Sequence, residues 1–113
     1  MIAGPHGARC IDWQCPGLGD AAEDLWSFLA PAFQIVYDRE PWSAAEVGRF
    51  RAAYGDPAVL DRLDAMGPYF SWRFARYCVF RVHQLAGVDA AGSERYRRAA
   101  AAETAWLERY PAA

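Results

Sequence analysis

A mainly α fold is what this sequence predicts, with about five helices and one short strand near the N-terminus. Three observations predict it. Helix-start signals recur along the chain: Asp20 with Glu23, Ser43 with Glu46, and Asp56 ahead of Pro57. Between these signals, apolar residues return at three- and four-residue spacing. Only one stretch, Ala8 to Asp12, reads as a strand, and Pro16, Gly17 and Gly19 punctuate the loop after it. At 113 residues the chain is expected to form a single domain with a modest core. Residues 1–19 make a strand-and-loop segment and residues 20–113 a helical subdomain.

Each element has its own local reason. Met1 to Gly7 holds glycine and proline and is expected to be loose, as untethered termini are. The strand over Ala8 to Asp12 is expected to present an edge without a partner. Helix one is predicted from Ala21 to Tyr37, with Leu25, Leu29, Ala32 and Val36 on one face and Trp26 and Phe33 flanking it. Pro31 lacks a backbone donor and should kink that helix or split it in two. Asp38-Arg39-Glu40-Pro41 ends it.

Helix two starts at the Ser43–Glu46 capping box and runs to Tyr54, with Val47, Phe50 and Tyr54 as its apolar stripe. Gly55 fits the position just past its end. Asp56 caps a third helix whose Val59, Leu60 and Leu63 face inward, and Gly67-Pro68 is expected to stop it. The fourth, from Tyr69 to Leu85, is the most apolar and is expected at the centre of the bundle. Its inward residues are predicted to be Trp72, Ala75, Cys78, Val79 and Val82, with Tyr77 and Phe80 beside them. Cys78 reads as a small core residue and His83 as a partly buried one. Arg73, Arg76 and Arg81 interrupt the apolar pattern and read as solvated or carboxylate-paired rather than as an anion site. Gly87 to Gly92 reads as a loop, Ser93 as the cap of a last helix, and Pro111 as its end.

Composition limits the function classes. The hydrophobic fraction of 54% and aromatic fraction of 15% support a folded core, not a disordered chain. Five tryptophans with six tyrosines and six phenylalanines are more bulky surface than so short a chain needs inside, which suggests an association face. A net charge of −2 gives no basic field for nucleic acid. No run is long and apolar enough for a membrane span. Three cysteines, an odd number at uneven spacing, point to a reduced cytoplasmic setting. His6, Cys10 and Cys15 match no standard zinc spacing and lack an evident fourth ligand, so strand and loop roles are expected for them.

The segment Ile11-Asp12-Trp13-Gln14, followed by Gly17-Leu18-Gly19-Asp20-Ala21-Ala22-Glu23-Asp24-Leu25, resembles the metal-binding motif of aminoglycoside phosphotransferase-like kinases. The resemblance covers about fifteen residues. It implies the helical C-terminal lobe of a protein kinase-like fold. It implies that Asp12 holds magnesium on the phosphates of ATP, and that Asp20 and Asp24 are structural, capping the helix and bracing the active-site loops. Ala21 stands where the family commonly has proline, a substitution tolerated at a first helical position. No glycine-rich phosphate loop, no lysine and no His-Gly-Asp catalytic loop accompany the motif. The expectation is therefore a C-terminal portion of such a small-molecule kinase, inactive by itself, whose partner would be the missing N-terminal lobe. Asp56, Asp61, Asp64 and Glu103 are candidate contacts to a cationic substrate, each better read as a solvated helix-surface charge. The alternative is a non-catalytic helical module that self-associates or binds a partner protein through its aromatic surface.

Overall fold

The computed structural model describes residues 2–9 and 17–109. Two short strands open the chain, β1 (Ile2–Gly4) and β2 (Gly7–Arg9), paired antiparallel with Ala3 opposite Ala8 and Gly4 opposite Gly7. Pro5 and His6 make the turn. Gly7 takes a φ of 105°, a conformation that glycine adopts without a Cβ clash. The expected lone strand is thus the second arm of a hairpin, and that arm starts one residue earlier, at Gly7. Its edge has a partner, β1, which lies within a stretch that was expected to be loose. The expected continuation to Asp12 lies outside the described residues.

Five helices come next: α1 (Ala21–Leu29), α2 (Pro31–Val36), α3 (Ala44–Tyr54), α4 (Pro57–Leu85) and α5 (Ala90–Leu107). The number agrees with expectation but the divisions do not. Pro31 splits the predicted first helix in two, with Ala30 extended at ψ 128°. Gly67-Pro68, by contrast, does not stop a helix: α4 runs unbroken through both for 29 residues. The last helix starts at Ala90, earlier than expected. Asp89 caps it by accepting from the Gly92 amide at 3.0 Å, while Ser93 donates instead to the Val82 carbonyl. A Cβ at Gly92 would lie 2.3 Å from the Asp89 carboxylate, so the cap requires glycine there.

Two other starts formed as the local pattern demands. Ser43 and Glu46 complete the reciprocal capping box of α3, and Gly55, at φ 71°, closes that helix. Asp56 accepts from the amides of Ala58 and Val59 to start α4 with Pro57 at its first position.

The core lies where α1 and α5 pack on α4 and α2 packs on α5. Trp26 is its hub, with Ala22, Leu25, Ala30, Val59, Leu63 and Phe70 buried around it. A second cluster, Ala32, Cys78, Ala99 and Ala100, joins α2, α4 and α5. Phe74 packs against both, and its ring stacks on Phe33 with centroids 4.2 Å apart. Ala75 and Cys78 are buried as expected. Trp72 and Val79 are instead about half exposed, and Phe70 and Ser71 take the inner positions. His83 is exposed rather than partly buried. α3 buries no residue fully; its Val47 and Phe50 only lean on the bundle.

Candidate functional site

Asp12, the residue with the expected metal role, lies outside the described residues, as do Cys10 and Cys15. The loop behind them is described from Gly17. Asp20 Oδ1 accepts from the Ala22 amide at 3.0 Å and so caps α1. Its other oxygen accepts from Arg62 Nε of α4 at 2.7 Å. The Arg62 guanidinium, with the Ala22 amide second, holds the Asp20 carboxyl below the usual carboxylate range. Glu23, one turn on, is paired with Arg73. Two ion pairs from the first turn of α1 therefore reach α4. Asp24 is exposed on α1, and its backbone carbonyl accepts from Ser27 Oγ at 2.9 Å.

The break between α1 and α2 produces a second polar arrangement, one that sequence reasoning missed. A helix end leaves backbone groups without intrahelical partners. At the start of α2, Ala30 has no side chain with which to cap. Glu103 of α5, fully buried, supplies the acceptor: its Oε2 receives the Ala32 amide at 3.0 Å. At the end of α1, the Phe28 carbonyl accepts from Gln34 Nε2 at 2.7 Å and from Trp42 Nε1 at 2.9 Å. Ser71 of α4 completes the interior, accepting from Trp26 Nε1 at 2.8 Å.

Burial pushes the Glu103 carboxyl up, and the Ser71 hydroxyl and the Ala32 amide offset only part of that shift. Its Oε1 has no hydrogen-bond partner among the described residues. Glu103 is thus neither a substrate contact nor a solvated surface charge. It is an internal cap. Its helical spacing with Tyr96, Ala99, Ala100 and Leu107 was the one signal of this burial in the sequence. Burial also pushes the Cys78 thiol up to about 12, which leaves it unreactive.

Of the other acidic candidates, Asp56 caps α4, Asp64 pairs with Arg51 at 2.8 Å, and Asp61 is exposed. They do not converge. Nor do the arginines of α4: Arg73 pairs with Glu23, Arg76 lies over Trp72, and Arg81 lies over Tyr96 of α5. Among the described residues no group of three or more histidine, cysteine, aspartate or glutamate side chains could hold a metal ion.

A concave surface does form beside the helix break. Phe28, Phe33, Gln34, Tyr37, Arg39 and Trp42 line an open cleft of about 420 Å³. The Phe28 and Trp42 rings stack at 5.4 Å in its wall. Asp38, at φ 60°, turns the chain out of α2 so that Arg39 and Trp42 reach this cleft. Comparison with protein-family models, curated proteins and solved structures finds no match for the chain. Among the described residues no helix is long and apolar enough to cross a membrane.

Proposed function

We propose that this chain is the helical, substrate-side C-terminal portion of an aminoglycoside phosphotransferase-like small-molecule kinase. In that reading, ATP-dependent phosphoryl transfer to a hydroxyl needs a nucleotide-binding lobe and an acceptor-activating aspartate from outside the 113 residues. The observation that supports it is the double engagement of Asp20. It caps α1 and is tied to Arg62 of α4, the bracing role that the resemblance assigns to it. In this reading Asp12 is the magnesium ligand, the role that the resemblance implies for it. Magnesium is commonly bound by one or two carboxylates together with phosphate oxygens and water, so one carboxylate here is compatible with that role. The cleft of Phe28, Gln34, Tyr37, Arg39 and Trp42 lies on the helical side, where a small hydroxyl-bearing molecule would sit.

The test begins with the in-frame sequence upstream of Met1. A glycine-rich loop, a lysine and a His-Gly-Asp…Asn segment are expected there. Joined to this chain, they should bind magnesium–ATP. Asp12→Ala should then abolish that binding with little loss of stability, whereas Asp20→Ala should lower the melting temperature and leave the binding site occupied by nucleotide. Unrelated upstream sequence, or binding indifferent to Asp12→Ala, would refute the kinase reading.

A second reading is favoured by a different observation. Met66, Tyr69, Trp72, Val79 and Phe80 of α4 are all about half exposed. Such a face belongs to a helical module that associates with another protein surface.

A further inference from the structure

One stripe of α4 stays open to solvent from Asp61 to His83. Ala65, Tyr69, Trp72, Arg76 and Val79 succeed one another along it at three- and four-residue spacing, and all are exposed. At 1.5 Å per residue the stripe is about 33 Å long. The helix that carries it is the longest of the fold, and its inner face alone serves the core.

Charge decides what could cover it. From Ala65 to Leu85 the helix has no carboxylate, while Arg73, Arg76, Arg81 and His83 lie there. The cap and first turns of α4 instead carry Asp56, Asp61 and Asp64, and their one arginine, Arg62, is paired with Asp20. Several of these groups are already engaged within the chain: Asp56 in its cap, Asp64 with Arg51, Arg73 with Glu23. Asp61, Arg76 and His83 form no ion pair among the described residues. The stripe is therefore acidic at one end and basic at the other. It is also symmetrical: Asp61 and His83 stand the same number of residues from Trp72, as do Ala65 and Val79.

We infer that α4 pairs antiparallel with α4 of a second copy of this chain, about a twofold axis at Trp72. This arrangement sets each Asp61 across from a His83, each Val79 against a small Ala65, and each Arg76 beside a Tyr69 ring. The two Trp72 side chains meet at the axis. A parallel pair would instead stack Asp61 on Asp61 and Arg76 on Arg76, which like charge opposes. A wholly acidic partner would suit Arg76 and His83 but would repel Asp61. Twofold self-complementary contact is also the commonest form of soluble assembly. The inference rests on the association reading and names its partner.

Sedimentation velocity of the full 113-residue chain over a range of concentrations tests it. A monomer–dimer equilibrium is expected. Trp72→Glu and Asp61→Arg should each weaken dimerisation about tenfold or more, with the helical circular dichroism unchanged because both side chains are exposed. Adding His83→Asp to Asp61→Arg should restore it. In a chain with Cys10→Ser and Cys15→Ser, Trp72→Cys should cross-link to a covalent dimer under mild oxidation. A dimer that withstands Trp72→Glu and fails to cross-link through position 72 overturns the α4 pairing and leaves self-association standing. A chain that stays monomeric throughout overturns the pairing and self-association together.

Discussion

Two prolines, Pro31 and Pro68, are each expected from the sequence to interrupt a helix, and they behave in opposite ways. Pro31 separates α1 from α2, whereas Pro68 sits inside an unbroken α4. The residue before each explains much of the difference. Proline clashes with the Cβ and amide of its predecessor when that residue is helical. Ala30 has a Cβ and turns extended; Gly67 has none and remains helical. The rest of the difference is tertiary. At Pro31 the freed groups meet waiting partners, Glu103 for the Ala32 amide and Gln34 and Trp42 for the Phe28 carbonyl. At Pro68 the flanking Gly67, Phe70 and Ser71 are buried, so a break would open the core against α1. A helix ends where its orphaned backbone groups can be satisfied and continues where packing forbids the bend.

The strongest way to break the first arrangement is Glu103→Ala. It leaves the Ala32 amide buried without an acceptor and opens a cavity beside Cys78, and should cost about 3 kcal/mol in chemical denaturation. Glu103→Gln separates hydrogen bonding from charge, since its amide oxygen can still accept from Ala32. The raised carboxyl means that the folded state holds this proton to higher pH than the unfolded chain does. That contribution is complete below the ordinary glutamate value and is lost as pH rises through the raised one. Wild type should therefore lose stability relative to Glu103→Gln as pH increases across that range. A parallel pH dependence for both proteins would show that Glu103 does not titrate in this way.

The second arrangement should yield a smaller effect of the opposite sign. Pro68→Ala restores the amide that would bond the Asp64 carbonyl and should stabilise the chain by about 2 kcal/mol, below the roughly 3 kcal/mol of an interior proline because α4 already tolerates it. Gly67→Ala puts a Cβ before the proline at a buried position, and about 1–2 kcal/mol of destabilisation is expected. If Gly67→Ala is harmless while Pro68 remains, the missing Cβ is not what keeps the helix unbroken. The smallest effect belongs to the turn after α2. Asp38 holds a φ of 60° there, where the Arg39 amide bonds the Gln34 carbonyl at 2.8 Å. Asp38→Gly should raise stability by about 0.5–1 kcal/mol, read as a shift in the denaturation midpoint.

Legibility tracked the range of the interactions. The caps at Asp20, Ser43–Glu46 and Asp56–Pro57 could be read because a side chain there bonds an amide two or three residues away. The hairpin could not, because Ile2 to Gly4 carries little strand signal without its partner. The facing of α4 was misread for a related reason. Apolar residues surround it from Tyr69 to Val82, so periodicity alone could not choose between Trp72 and Phe70 as the inner residue. Ser71, polar and fully buried, is decided by Trp26, a residue 45 positions away. Among the candidate site residues, the bracing by Asp20 was readable as a cap, but its bond to Arg62 was not.

By itself the sequence determined a mainly helical chain, where most of its helices begin, and a short motif at Asp20 that caps α1. These depend on backbone groups within a turn of the side chains that serve them. Only the tertiary structure decided which proline breaks a helix, that Glu103 is an internal cap, and which stripe of α4 faces outward. Those outcomes turn on partners distant in sequence, and burial sets their strength by removing the water that would otherwise compete for the same groups.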